Sequence, residues 1–112
     1  MDNSEVEKSK VFINADMVDY EIDSIVCRTI LKKMEGNITI SSFDTGEGLN
    51  EKTSPFDTFA QIIDGKAEIV IDGTSNLLET GQSIIIPAHT PNVVKAKERF
   101  KMISTIIKSG YE

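Results

Sequence analysis

The stretch TFAQIIDGKAEIVIDG at residues 58–73, followed by LETGQSIIIPAHTPN at 78–92, decides the fold class. Its apolar residues are mostly β-branched and come in short runs divided by Asp-Gly, Thr-Gly and Pro, the pattern of strands separated by turns. Asp64-Gly65 and Asp72-Gly73 each read as a hairpin turn, because glycine accepts positive φ without steric cost. Thr80-Gly81-Gln82 marks another reversal, and Pro87, which cannot donate to a ladder, closes the strand Ser83 to Ile86. Side chains alternate between faces along a strand, so Thr58, Ala60 and Ile62 share one face and Phe59, Gln61 and Ile63 the other. Both faces are largely apolar and both need cover, which predicts a second copy of the chain against the outer face, with Gln61 at that surface.

Outward from this stretch the same texture continues. Strands are expected at Ser24 to Lys33, Ile38 to Phe43, Thr58 to Ile63, Ala67 to Asp72, Ser83 to Ile86 and Met102 to Ile107, with weaker ones near Val11, Leu77 and Val93. A helix over Glu21 to Glu35 would align Ile22, Ile25, Val26, Ile30 and Met34 in part, but the β-branched run from Ser24 to Thr29 reads better as a strand. Residues 46–54, GEGLNEKTS, form the longest central stretch without β character and read as a loop able to carry function. Residues 1–10 are polar and of mixed charge, and are expected to be a flexible N-terminus. Residues 11–112 then form one all-β domain, a sandwich or barrel.

The chain has 112 residues, with 12 Lys plus Arg against 18 Asp plus Glu, a formal net charge of −6. That balance opposes nucleic acid and anionic membranes as partners. Cys27 is the only cysteine, so neither an internal disulfide nor a Cys/His zinc cluster can form from this chain. Within its apolar strand Cys27 reads as a small buried hydrophobe. The charged start MDNSEVEKSK lacks the apolar core of a signal peptide, and no aliphatic run could span a bilayer. A cytoplasmic protein is the expectation.

The order of loop, strand, Asp64-Gly65, strand, Gly81, apolar strand and Pro87 resembles the cupin superfamily, over about Ser24 to Ile107. The resemblance implies an antiparallel jelly-roll β barrel. The family's first motif runs Gly, five residues, His, one residue, His, three or four residues, Glu, six residues, Gly. Its second runs Gly, five residues, Pro, one residue, Gly, two residues, His, three residues, Asn. Gly65 closes the first motif, while Gly81 and Pro87 keep the spacing of the second. Counted back with four residues, Thr58 stands at the glutamate and Thr53 and Glu51 at the histidines, with Gly46 one residue out of place. Counted forward, His89 stands at the glycine, Asn92 at the histidine and Ala96 at the asparagine.

No family histidine ligand is kept, and a shell of one carboxylate, two hydroxyls and an amide would hold a divalent transition metal poorly. The expected function is therefore a small molecule bound in the barrel without a His-ligated metal or other cofactor. Its expected lining is Glu51, Thr53, Thr58, His89, Asn92 and Met102, with Ala60, Ile62, Ile84 and Ile86 as apolar walls. The alternative is a metal-dependent enzyme of dioxygenase or isomerase type, with a rearranged site of Glu51, Asp57 and His89. Sugar chemistry with His89 as a lone base is a third reading. For each polar residue a plain structural role competes: His89 as an exposed loop residue, Asp57 as a turn cap, Thr58 and Asn92 as mutually satisfied buried groups. Phe43, Phe59 and Phe100 read as packing, and Phe56 as packing or a gate at the barrel mouth.

Overall fold

The computed structural model describes residues 5–108. Eight strands carry the fold: β1 (Ile25–Lys33), β2 (Gly36–Phe43), β3 (Gly48–Lys52), β4 (Asp57–Ile71), β5 (Thr74–Glu79), β6 (Ser83–Ile86), β7 (Asn92–Lys95) and β8 (Phe100–Ile107). A single 3-10 turn, Asn14–Asp16, precedes them. Every pairing is antiparallel, in the order β1-β2-β8-β4-β7-β3, with β5 and β6 also paired to β4. The all-β expectation holds. Among the described residues no helix is long and apolar enough to cross a membrane.

The expected hairpin at Asp64-Gly65 is not there. β4 runs through it as one strand of 15 residues, with a register irregularity between Ile62 and Asp64. Gly65 takes φ +84°, bending the chain so that the first half of β4 pairs with β6 and β8 and the second half with β5 and β7. The glycine marks a corner between two sheets, a use that shares its chemistry with a hairpin turn. Asp72-Gly73 does make the hairpin: both residues have positive φ, and Ile71 pairs with Thr74 across it.

Two further expectations need correction. The stretch taken as a loop contains β3, an edge strand paired to β7, in which only Leu49 is half-buried and the other side chains lie exposed. Its polar sequence hides it, because an edge strand with little to bury carries no apolar alternation. No strand forms at Val11, which is fully exposed.

The barrel interior holds Phe43, Ile62, Ile69, Val94 and Phe100, all nearly inaccessible. Phe43 and Phe100, opposite each other in β2 and β8, stack with centroids 4.6 Å apart. A second apolar cluster lies on the outer face, where Ile40 and Ile103 meet Val18, with Met17, Ile38 and Ile63 packed alongside. Part of the cover for that face therefore comes from the chain's own residues 17–18.

Polar contacts fasten this segment. Tyr20 Oη donates to Asp64 Oδ2 at 2.6 Å, the Arg99 guanidinium stands 4.6 Å from the Tyr20 ring centroid, and Lys101 Nζ donates to the Ala15 carbonyl at 2.5 Å. Burial, then the Asp64 carboxylate, hold the Tyr20 hydroxyl well above the usual tyrosine range. Further upstream, Val6 N donates to the Ile30 carbonyl at 3.2 Å and Lys32 N donates to the Glu5 carboxylate, both along β1.

Candidate functional site

Alternation along the strands turns a second set of side chains into the barrel. On β2 and β8 the inward residues above the Phe43 and Phe100 stack are Ser41 and Thr39, and Met102, Ser104 and Ile106. β1 adds Ile25 and Cys27, β4 adds Thr58, β6 adds Ile86, and β7 adds Asn92 and Val94. Lys52 of β3 with Ser54 and Phe56 completes the mouth. Together they enclose a pocket of about 260 Å³. It is apolar at its floor and mixed towards its opening, the usual character of a small-molecule site.

Asn92 is held firmly. Its Nδ2 donates to the carbonyls of Lys52 and Thr90 at 3.3 and 3.2 Å. Turning the amide over would set its oxygen against two carbonyl oxygens, so these bonds fix which end is which. Asn92 Oδ1 is then left buried without a hydrogen-bond partner, the side-chain atom among the described residues for which this is so. On the facing wall Cys27 Sγ and Ser41 Oγ lie 3.2 Å apart, and Thr39 pairs with Ser104 across β2 and β8. The cysteine is exposed, not buried as its strand context suggested, because β1 is an edge strand and its inward face opens onto the pocket.

Of the residues expected at the site, Thr58, Asn92 and Met102 line this pocket, and Glu51, Thr53 and His89 do not. Glu51, Lys52 and Thr53 are all exposed, and of this segment it is Lys52 and Ser54 that reach the lining of the pocket. The signal was available in the sequence. Counted with three residues rather than four before Thr58, the first motif places Ser54 and Lys52 at the two histidine positions and Gly46 at the opening glycine, with no displacement. Gly46 takes φ +89° and donates its N–H to the Ala96 carbonyl, which ties the start of this segment to the strand end opposite.

His89 lies exposed in the loop after Pro87, with φ +61°, the left-handed conformation natural to the glycine that the second motif has there. Its backbone N donates to the Ser54 carbonyl at 2.6 Å. Asp57 Oδ1 accepts from Ala88 N at 2.8 Å, so this carboxylate clamps the same loop from the other side. No three His, Cys, Asp or Glu side chains among the described residues come together in a way that could hold a metal ion. Glu51, Asp57 and His89 do not form such a group. Nor does the pocket suit a divalent transition metal, since Cys27 offers a single thiol, an ammonium is no ligand, and the remaining hydroxyl and amide oxygens are weak donors for it.

No protein-family model and no curated protein matches the chain. Solved structures do. A conserved protein of unknown function from Streptococcus pyogenes superposes with a TM-score of 0.90 at 32% identity, over 96% of this chain and 94% of that one. A cupin 2 conserved barrel domain protein from Leptotrichia buccalis gives 0.81 at 32% identity, over 84% of this chain and 46% of that one. A cupin superfamily protein from Desulfitobacterium hafniense gives 0.86 at 21% identity, over 96% of this chain and 98% of that one, a likeness of fold.

Proposed function

We propose that this chain, which belongs to the cupin superfamily, holds a small, partly apolar molecule in its barrel without a His-ligated metal. The observation that carries the reading is the pocket of about 260 Å³ inside the barrel. Thr58, Ser41 and Ser104 supply it with hydroxyls able to bond a bound molecule, and Met102, Ile86 and Phe56 with an apolar wall.

Cys27 makes the reading testable. It is the chain's only thiol, it is exposed, and it lines the pocket. Alkylation by iodoacetamide, followed by intact mass, reports whether the pocket is occupied. In a screen of small metabolites, a true ligand slows alkylation and raises the melting temperature, adding about 2.7 kcal/mol at 100 times its dissociation constant. A broad screen in which no compound does either sinks the proposal. Near-stoichiometric transition metal in freshly purified, untagged protein would instead favour the metal-dependent enzyme.

The same proposal includes a homodimer in the cytoplasm. Phe59 and Ile85, directly opposite in β4 and β6, are 40% and 62% exposed on the outer face, and Ile107 nearby is 59% exposed. A contiguous apolar patch of this kind favours a partner surface of like chemistry, and a second copy of the chain provides one.

A further inference from the structure

Strand alternation sorts the lining of the barrel pocket by chemistry. The inward polar groups of β1, β2 and β8 form two cross-strand rows, with Cys27 opposite Ser41 and Thr39 opposite Ser104. Cys27 Sγ and Ser41 Oγ lie 3.2 Å apart, which makes the first row continuous. Ser41 is buried and Thr39 and Ser104 are half-buried, so most of this polar stripe stands on the inner wall and only its Cys27 end is exposed. Around the stripe the lining is hydrocarbon, including Ile25, Phe56, Ile86, Val94 and Met102. Among the described residues no Asp, Glu, Arg or His stands in the lining, and Lys52, its charged residue, is exposed at the mouth.

Resting on the reading of the barrel as a ligand pocket, we infer that its ligand is a small uncharged molecule, with a hydroxyl or amide on one side and hydrocarbon on the other. An ionised group taken into this interior would lose its water and meet no opposite charge, which is a large cost. The backbone of β2 offers no substitute, because its N–H and C=O groups are engaged on both sides in ladders with β1 and β8. A side-chain hydroxyl both donates and accepts. Ser41, Thr39 and Ser104 can therefore bond an alcohol or an amide, neither of which brings a charge. The two rows stand two residues apart along β2, roughly 7 Å, within the span of one small molecule. The pocket is smaller than the roughly 300–1,000 Å³ of sites for drug-sized molecules, so the hydrocarbon part is a short chain or one ring against Met102, Ile86 and Phe56.

The test uses matched sets of compounds on isobutyl, propyl and benzyl skeletons. Each set holds the primary alcohol, the primary amide, the hydrocarbon, the carboxylate and the ammonium. Protection of Cys27 from iodoacetamide is read on the wild type and on Ser41→Ala, Thr39→Val and Ser104→Ala, each protein against its own rate without a compound. In at least one set the alcohol or amide is expected to protect at concentrations about tenfold or more below those of the carboxylate and the ammonium. Its advantage over the hydrocarbon should be about threefold to tenfold, and at least one of the three variants should remove it while protection by the hydrocarbon persists. Protection by carboxylates or ammoniums equal to that by alcohols and amides overturns the inference and leaves the ligand pocket standing. So does a hydrocarbon that protects as well as its alcohol and amide, or an advantage that none of the three variants reduces. If neither these sets nor a broad library of small molecules protects the thiol, the ligand pocket itself falls.

Discussion

A β-carbon on Gly65 would stand 2.1 Å from the carbonyl oxygen of Arg99 and 2.9 Å from the Cα of Phe100. The start of β8 crosses so close to the corner of β4 that no side chain fits between them. Gly65→Ala adds this clash to a left-handed φ, and is expected to cost roughly 2–5 kcal/mol. Urea unfolding measures it, and a loss under about 1 kcal/mol would show that the corner can relax.

His89 offers the converse test. It is one of four non-glycine residues with positive φ among the described residues, and its backbone is held by Ser54. His89→Gly and His89→Ala delete the same side-chain contacts and differ in the ease of left-handed φ. The glycine variant is expected to be the more stable by about 1 kcal/mol. Because His89 does not line the barrel pocket, neither variant should alter protection of Cys27 by a bound molecule. A large loss of protection would return His89 to the site.

Acid sensitivity should trace to Asp44. The N–H groups of Asp23 and Thr45, then the Arg99 side chain, hold its carboxyl below the usual aspartate range. A lowered folded value means that the stabilisation is complete above the unfolded value of about 3.9, and drains away as pH falls through the folded one. Asp44→Asn should therefore lower stability at neutral pH and flatten the acid limb of the melting-temperature profile. Wild-type and variant curves that stay parallel below pH ~4 would assign the acid limb elsewhere.

The outer patch predicts assembly. Ile85→Lys sets a charge against Phe59 on an exposed face, so folding should survive while association does not. Sedimentation of the wild type at twice the monomer mass, and of the variant as a monomer, is expected. A monomeric wild type at high concentration would remove the dimer.

Much of the fold was legible because strand chemistry is local. Pro87 ends β6 at Ile86 as expected, and Asp72-Gly73 turns the chain between β4 and β5. The failures have one cause, which is that the same residue serves two geometries. Asp-Gly suits a hairpin and a sheet corner alike, and the choice at Gly65 is made by Arg99 and Phe100, distant in sequence. β3 was invisible because its side chains have little to bury. The lining of the pocket was legible to within one residue of register: of the residues expected there Thr58, Asn92 and Met102 line it, His89 does not, and Lys52 and Ser54 stand in the lining in place of Glu51 and Thr53. In a strand a slip of one residue exchanges the two faces.

β4 pairs with four other strands, β5, β6, β7 and β8, and belongs to both sheets. Two sheets that share a strand have no hinge between them. The barrel cannot breathe as a clamshell does, with halves swinging about a linker, because opening it would tear the ladders of β4 itself. Its interior keeps a fixed girth, and solvent reaches it along the free edge of β1, where Cys27 is exposed, and beside Phe56, Pro87 and the end of β3.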